Sequence, residues 1–248
     1  MKVRIWGCRG STPAPLNPRQ VEEKIVQAIF QMPDIDTADA DAVKAYVKSL
    51  DVLTRGTAGG NTTCVEIQPG GAGPGRIIVI DAGTGIRELG LELMKGPFGR
   101  GKGELHLLFS HPHWDHIQGF PFFMPAFIPG NRLFIYSTHD LRKALMEQQR
   151  PLNFPVPMST MEASIEFITL EEGQPFNVGE ARINTIRNAH PGDSYVYRIE
   201  DAQSTFVFAI DAEFNHLDEA NMQPHLAFFK DAAALIFDAQ YTLGEGWV

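Results

Sequence analysis

The heptapeptide SHPHWDH, residues 110–116, gathers three histidines and one aspartate. His111 and His113 stand two apart, and in extended backbone positions i and i+2 face the same side. Both imidazoles can therefore reach one ion. Asp115 and His116 follow where the chain turns towards a helix, and the turn aims them at a second point. Pro112 stiffens the loop by fixing its own φ. Imidazole with carboxylate suits a borderline cation such as zinc, and the lack of a nearby thiolate sets this apart from a structural cysteine site. A pair of ions lowers the pKa of a shared water and clamps both sides of a displacement reaction. A solvated loop with coincidental histidines is the alternative, and four ligating side chains within residues 111–116 weigh against it.

These ligands need a rigid frame. ELHLLFS reads as a strand running straight into the cluster. The C-terminal end of a buried strand is where α/β proteins place their sites. Upstream, KVRIWG is strand-like and CRGSTPAP is a Gly/Pro-rich loop. Val21, Ile25, Ala28 and Ile29 recur at helical spacing from Arg19 to Met32, and a second helix is expected from about Asp39 to Leu50. Together these form a helical insertion at about 14–55. NTTCVEI and RIIVIDAG pair as a hairpin, followed by a helix over IRELGLELMK. RLFIYS is a strand, with a helix from about Asp140 to Arg150. Further strands are IEFITL, ARINTIRN, SYVYRIE and STFVFAID. A helix over about His216–Phe229 precedes AALIFDAQ, a last buried strand. This order of hairpins and strand–helix units argues for one α/β domain over 1–248.

The 248 residues are 44% hydrophobic, enough for a core that needs no disulfide or structural metal, so a metal at the histidines is catalytic. A net charge of −9 without any Lys/Arg run argues against non-specific nucleic-acid binding. Cys8 and Cys64 are read as reduced, buried thiols of a cytoplasmic protein. No apolar stretch follows Lys2 and Arg4 as in a signal peptide, and none is long enough for a membrane span.

The H-x-H-x-D-H pattern resembles the metallo-β-lactamase superfamily, and the resemblance extends over nearly the whole chain. WGCRGSTPAP with GGNTTCVEI is similar to the N-terminal signature of its phosphodiesterase branch, which includes cyclic-phosphate phosphodiesterases and tRNA 3′-end endonucleases. DAGTG before the motif and HIQGFPFF after it fit the same branch. The resemblance implies a four-layer αβ/βα sandwich and a pair of zinc ions, with Mn²⁺ or Fe²⁺ as other occupants. His111, His113 and His190, the last in RNAHPGDSYVYRI, would hold the first ion. Asp115, His116 and Asp211, the last in FVFAIDAE, would hold the second, with Asp211 bridging. Asp238 in LIFDAQYT is nominated near the leaving group. Asp81 would orient a ligand histidine or serve as a plain cap, and Asn61 would brace the metal-side loop or act as a simple turn residue. The family closes its second site with a histidine beyond the last strand. No histidine follows His225, so the second site is expected to be incomplete within this chain, its last ligand lying past Val248, or to be built differently, with His216 as a substitute.

The mechanism implied is attack of a metal-bridging hydroxide on phosphorus, with Asp115 and Asp211 orienting it and Asp238 protonating the departing oxygen. The expected substrate is a small cyclic phosphate or cyclic nucleotide. A tRNA 3′-end endonuclease is the alternative, although the insertion is not basic. Lactone or thioester hydrolysis and a non-catalytic metal sensor are further readings. Phe120, Phe122, Phe123 and Phe127 are either local core or an apolar wall for a substrate base or a second subunit, and a homodimer is considered.

Overall fold

The computed structural model describes residues 1–57, 59–70, 73, 75–213 and 219–238. β1 (Lys2–Gly7), β2 (Cys64–Gln68), β3 (Arg76–Ile80), β4 (Glu104–Leu108), β5 (Arg132–Ser137) and β6 (Ser164–Thr169) form one sheet in that order. The first three pair antiparallel, and β3 to β6 run parallel. The second sheet is ordered β11-β10-β9-β8-β7. Its strands are β7 (Phe176–Val178), β8 (Ala181–Asn188), β9 (Ser194–Glu200), β10 (Thr205–Ala209) and β11 (Ala234–Phe237). All its pairings are antiparallel except β10 with β11.

Strand alternation explains the layering. In β3, Ile77 and Val79 pack outward with Ile86 and Leu89 of α4 (Gly85–Leu93). Ile78 and Ile80 face inward, where they meet Ile183, Tyr197 and Phe208 of the second sheet. Each fully buried aliphatic or aromatic side chain of this kind stabilises the fold by about 1.5–3 kcal/mol. Leu141 and Leu145 of α6 (Leu141–Gln148) join the outer face of the first sheet. Phe228 and Phe229 of α7 (Glu219–Phe229) cover Val196 and Val207 on the outer face of the second. The result is four layers, helix–sheet–sheet–helix.

The expected insertion contains α1 (Pro18–Phe30), α2 (Ala40–Ser49) and α3 (Val52–Arg55). Asn17 and Gln20 cap α1 reciprocally, each side chain accepting from the other's backbone N–H at 3.0 Å. Asp39 caps α2, and the Tyr46 hydroxyl donates to Ala28 O, tying α2 to α1. Neither α1 nor α2 buries a single residue, so the apolar spacing that marks α1 as a helix does not face the core.

Two expectations are corrected. The segment AALIFDAQ is not a buried strand: among the described residues β11 is the outermost strand of its sheet, with Leu235 44% and Phe237 43% exposed. An apolar run reports strand propensity, and edge position depends on topology. Cys8 is exposed rather than buried, whereas Cys64 is buried as expected.

Candidate metal centre

Strand direction assembles the site. Parallel β3 and β4 end together, bringing Asp81 beside Ser110 and His111. In the second sheet β8 and β10 run the same way, each antiparallel to β9. Their C-terminal ends therefore deliver His190 and Asp211 to one edge. The two sheets are joined there: Tyr195 N donates to Ser110 O at 3.1 Å, and the Tyr197 hydroxyl donates to Phe109 O at 2.7 Å. The His190 and Asp211 loops are linked by Glu213 N donating to Ala189 O at 2.8 Å.

The metal loop itself is short and stiff. His113 precedes the one-turn α5 (Trp114–Ile117), which carries Asp115 and His116. Ala82 N donates to His116 O at 2.7 Å, Gly119 N to Ala82 O at 2.8 Å and Gly83 N to Thr63 O at 2.8 Å. A Cβ at Gly83 would sit 2.4 Å from Asp115 O, so only glycine allows this approach. The Asn61 main-chain carbonyl accepts from both Cys8 N and Arg9 N, at 3.0 and 2.9 Å, while its side-chain Oδ1 accepts from Thr84 Oγ1 at 3.2 Å.

Two groups of ligand atoms converge, each within 4.8 Å: His111, His113 and His190, and His111, His116 and Asp211. His111 Nε2 lies 2.9 Å from His113 Nδ1, and His190 Nε2 lies 3.1 Å from the same atom. Facing ring nitrogens can share only one proton between each pair. Tetrahedral bonds of about 2.0–2.1 Å to one ion place ligand nitrogens about 3.3 Å apart, close to this spacing. In the second group, His116 Nε2 lies 2.9 Å from Asp211 Oδ2; the expected ligand Asp115 belongs to neither group, although its Oδ2 lies 3.4 Å from the same nitrogen. The first group offers three nitrogens and the second two nitrogens and a carboxylate, with His111 common to both, and either set could hold a metal ion.

Electrostatics agree with that fit. Burial, then His116, His113 and His190, holds the His111 pKa far below its ordinary value. Burial and His190 lower that of His113 as well. Both rings are therefore neutral, the form that binds metal. Burial opposes charge on His116, yet Asp81, Asp115 and Asp211 raise its pKa well above the ordinary value. Burial likewise opposes charge on Asp115, but His116 and the Ser11 N–H, donating at 2.8 Å, hold its carboxyl low. Without a metal, a proton on His116 offsets the carboxylates that a cation would otherwise neutralise.

Asp81 is fully buried and accepts from Ser110 N, Ser110 Oγ and His116 Nδ1, each at 2.8 Å. It orients His116, as the sequence suggests, and burial raises its pKa despite these partners. Asp81 and Asp211 both adopt left-handed backbone, φ 59° and 51°. Aspartate is among the few non-glycine residues that tolerate it. Asp238 follows β11 and, with Asp115 and Asp211, lines a cavity of about 340 Å³, but it belongs to neither ligand group. His216 and the expected ligand past Val248 lie outside the described residues.

Sequence reasoning passed over Ser110, Ser11 and Arg9. The first touches Asp81, the second touches Asp115, and the third lines the cavity. Only proximity to recognised motifs could have flagged them. The phenylalanines divide: Phe120 and Phe123 are core, and Phe127 packs against it. Phe122 is 52% exposed and lines a separate groove with Trp114 and Phe154, away from the cavity of Asp115 and Asp211.

The family described as "Beta-lactamase superfamily domain" matches residues 76–244. None of the curated proteins compared matches in sequence. Among solved structures, the metallo-β-lactamase fold protein YhfI from Bacillus subtilis aligns with TM-score 0.54 and 19% identity, over 94% of this chain and 68% of its own. Human tRNase Z, short form, aligns with TM-score 0.56 and 14% identity, over 98% and 80%. Unliganded yeast PDE1 aligns with TM-score 0.53 and 10% identity, over 74% and 73%. The match over most of the chain, the four-layer fold and the paired His/Asp groups establish that this chain belongs to the metallo-β-lactamase superfamily.

Proposed function

We propose that the protein is a zinc-dependent phosphodiesterase acting on a small cyclic phosphate or cyclic nucleotide, working as one domain over 1–248. Mn²⁺ or Fe²⁺ suits the same donors. The observation that carries this reading is the convergence of two ligand groups on one sheet edge beside an open cavity. His111, His113 and His190 would hold one ion, and Asp115, His116 and Asp211 the other. When bound, two such ions lower the pKa of water and neutralise charge building on phosphorus. Asp115 and Asp211 orient the attacking water by accepting its hydrogen bonds. Asp81 holds the His116 ring in place. Asp238, at the rim of the same cavity, protonates the departing oxygen. The phosphodiester preference rests on the WGCRGSTPAP and GGNTTCVEI signature and is in keeping with yeast PDE1 and human tRNase Z among the structural neighbours.

The cavity, about 340 Å³, is at the small end of ligand pockets, which run from about 300 to 1,000 Å³. That favours a small substrate. The coverage of 98% against human tRNase Z keeps tRNA 3′-end cleavage as a second reading. Against it, residues 18–55 carry five basic and seven acidic side chains, a poor grip for RNA. The test is the protein loaded with zinc or manganese, assayed on a cyclic nucleotide, a cyclic ribose phosphate, a tRNA precursor and a lactone. Cleavage of the cyclic phosphates is expected; cleavage of the precursor alone, or of the lactone alone, overturns the ranking. Among the described residues no helix is long and apolar enough to cross a membrane. The free Cys8 and Cys64 suit a cytoplasmic site of action.

We also propose a homodimer through α1 to α3. Nine large apolar side chains of residues 18–55 are at least 38% exposed, among them Ile29 at 61%, Phe30 at 86% and Leu53 at 67%. Phe30 alone offers on the order of 150 Å². Nine such groups reach the order of the roughly 800 Å² per partner that a stable interface buries. The mixed charge of the arm suits a second copy of itself better than a polyanion.

A further inference from the structure

We propose that Arg9 anchors the anionic group of the substrate in the cavity beside the metal centre. This rests on the phosphodiesterase reading and assigns to the cavity a residue that the metal motif does not include. Among the described residues the cavity is lined by three carboxylates, Asp115, Asp211 and Asp238, and by one cationic side chain, Arg9. In a chain of net charge −9, a guanidinium beside carboxylates would ordinarily pair with one. Here Asp115 is already occupied by Ser11 N and by His116, and Asp211 by His116. The Arg9 guanidinium makes no hydrogen bond or ion pair with the described residues.

The base of that side chain is fixed. Cys8 N and Arg9 N both donate to Asn61 O, and Arg9 bridges to Thr62. Two residues on, Ser11 N holds Asp115 Oδ2 at 2.8 Å. Arg9 is thus registered against the ligands while its head stays available. Its planar fork matches two phosphoryl oxygens. A cation bound at the group that holds Asp211 would offset the carboxylates of the cavity wall, so an anion could approach Arg9. The cavity also has an apolar lining: Ile5, 55% exposed on β1, with Ile236 and Phe237 of β11. The ligand class is therefore an organic phosphate whose ester group lies against Ile5.

The experiment titrates inorganic phosphate and phenyl phosphate into zinc-loaded wild-type protein, Arg9→Ala, Arg9→Lys and Ile5→Asp, by calorimetry. Zinc content and circular dichroism are read in parallel, and turnover of a cyclic nucleotide is measured separately. A charge-assisted hydrogen bond lost from the site weakens binding about 10- to 100-fold. Arg9→Ala is expected to weaken both ligands by that factor with zinc content unchanged, and Arg9→Lys to recover part of it. Phenyl phosphate is expected to bind wild type more tightly than inorganic phosphate, and Ile5→Asp to remove that advantage alone. Phosphate affinity in Arg9→Ala within twofold of wild type overturns the assignment of Arg9, and equal affinity of wild type for the two ligands overturns that of the apolar wall. Absence of turnover in wild type, with Arg9→Ala still losing phosphate, counts against the phosphodiesterase reading and leaves the anion site standing.

Discussion

His116 is the residue on which the centre turns. Its Nδ1 faces Asp81 at 2.8 Å and its Nε2 faces Asp211 at 2.9 Å, so one ring joins a buried carboxylate to the metal-facing edge. Partners that orient a ligand histidine typically contribute 10- to 100-fold in metal affinity, so Asp81→Asn is expected to weaken zinc by about that factor, measured by competition with a chromogenic chelator. His190→Ala removes a nitrogen from the three-histidine group and is expected to reduce bound zinc towards one ion per chain, read by elemental analysis. An unchanged zinc content would exclude His190 from the centre. At this scale the sequence was most informative where ligands are local. His111, His113, Asp115 and His116 lie within six positions, and their spacing alone brings them together. His190 and Asp211 were accessible only through family order, since 74 and 95 residues separate them from His116. Ser11 and Arg9 were not legible, because the Ser11–Asp115 contact spans 104 positions and carries no periodic signal.

At the scale of elements, the two sheets must hold their His- and Asp-bearing ends together, and Tyr197 is a principal tie. It is fully buried on β9, and its hydroxyl donates to Phe109 O just past β4. Tyr197→Phe leaves that carbonyl unsatisfied and is expected to lower stability by about 1–3 kcal/mol, seen as a lower urea midpoint at unchanged slope. A shift within about 0.3 kcal/mol would show that the tie contributes little. Most strands were readable because β-branched runs between turn residues are a local property. The three-residue β7 fell below what alternation can reveal. The edge position of β11 and the uncovered face of α1 depend on which elements become neighbours, and hydrophobic spacing does not encode that.

For the whole molecule, the −9 charge and the exposed apolar arm bear on the proposed dimer. Replacing Ile29 and Phe30 together by glutamate places charges at the proposed interface and is expected to convert dimer to monomer in sedimentation, with circular dichroism unchanged because neither side chain is in the core. A monomeric wild type would contradict the dimer without touching the catalytic account. That account is tested most directly by titrating zinc into metal-free protein while following cyclic-nucleotide hydrolysis. Turnover is expected to rise from zero to a plateau near two ions per chain and to vanish when a chelator is added. Full zinc loading without hydrolysis of any cyclic phosphate, or hydrolysis that persists in the chelated protein, would contradict it.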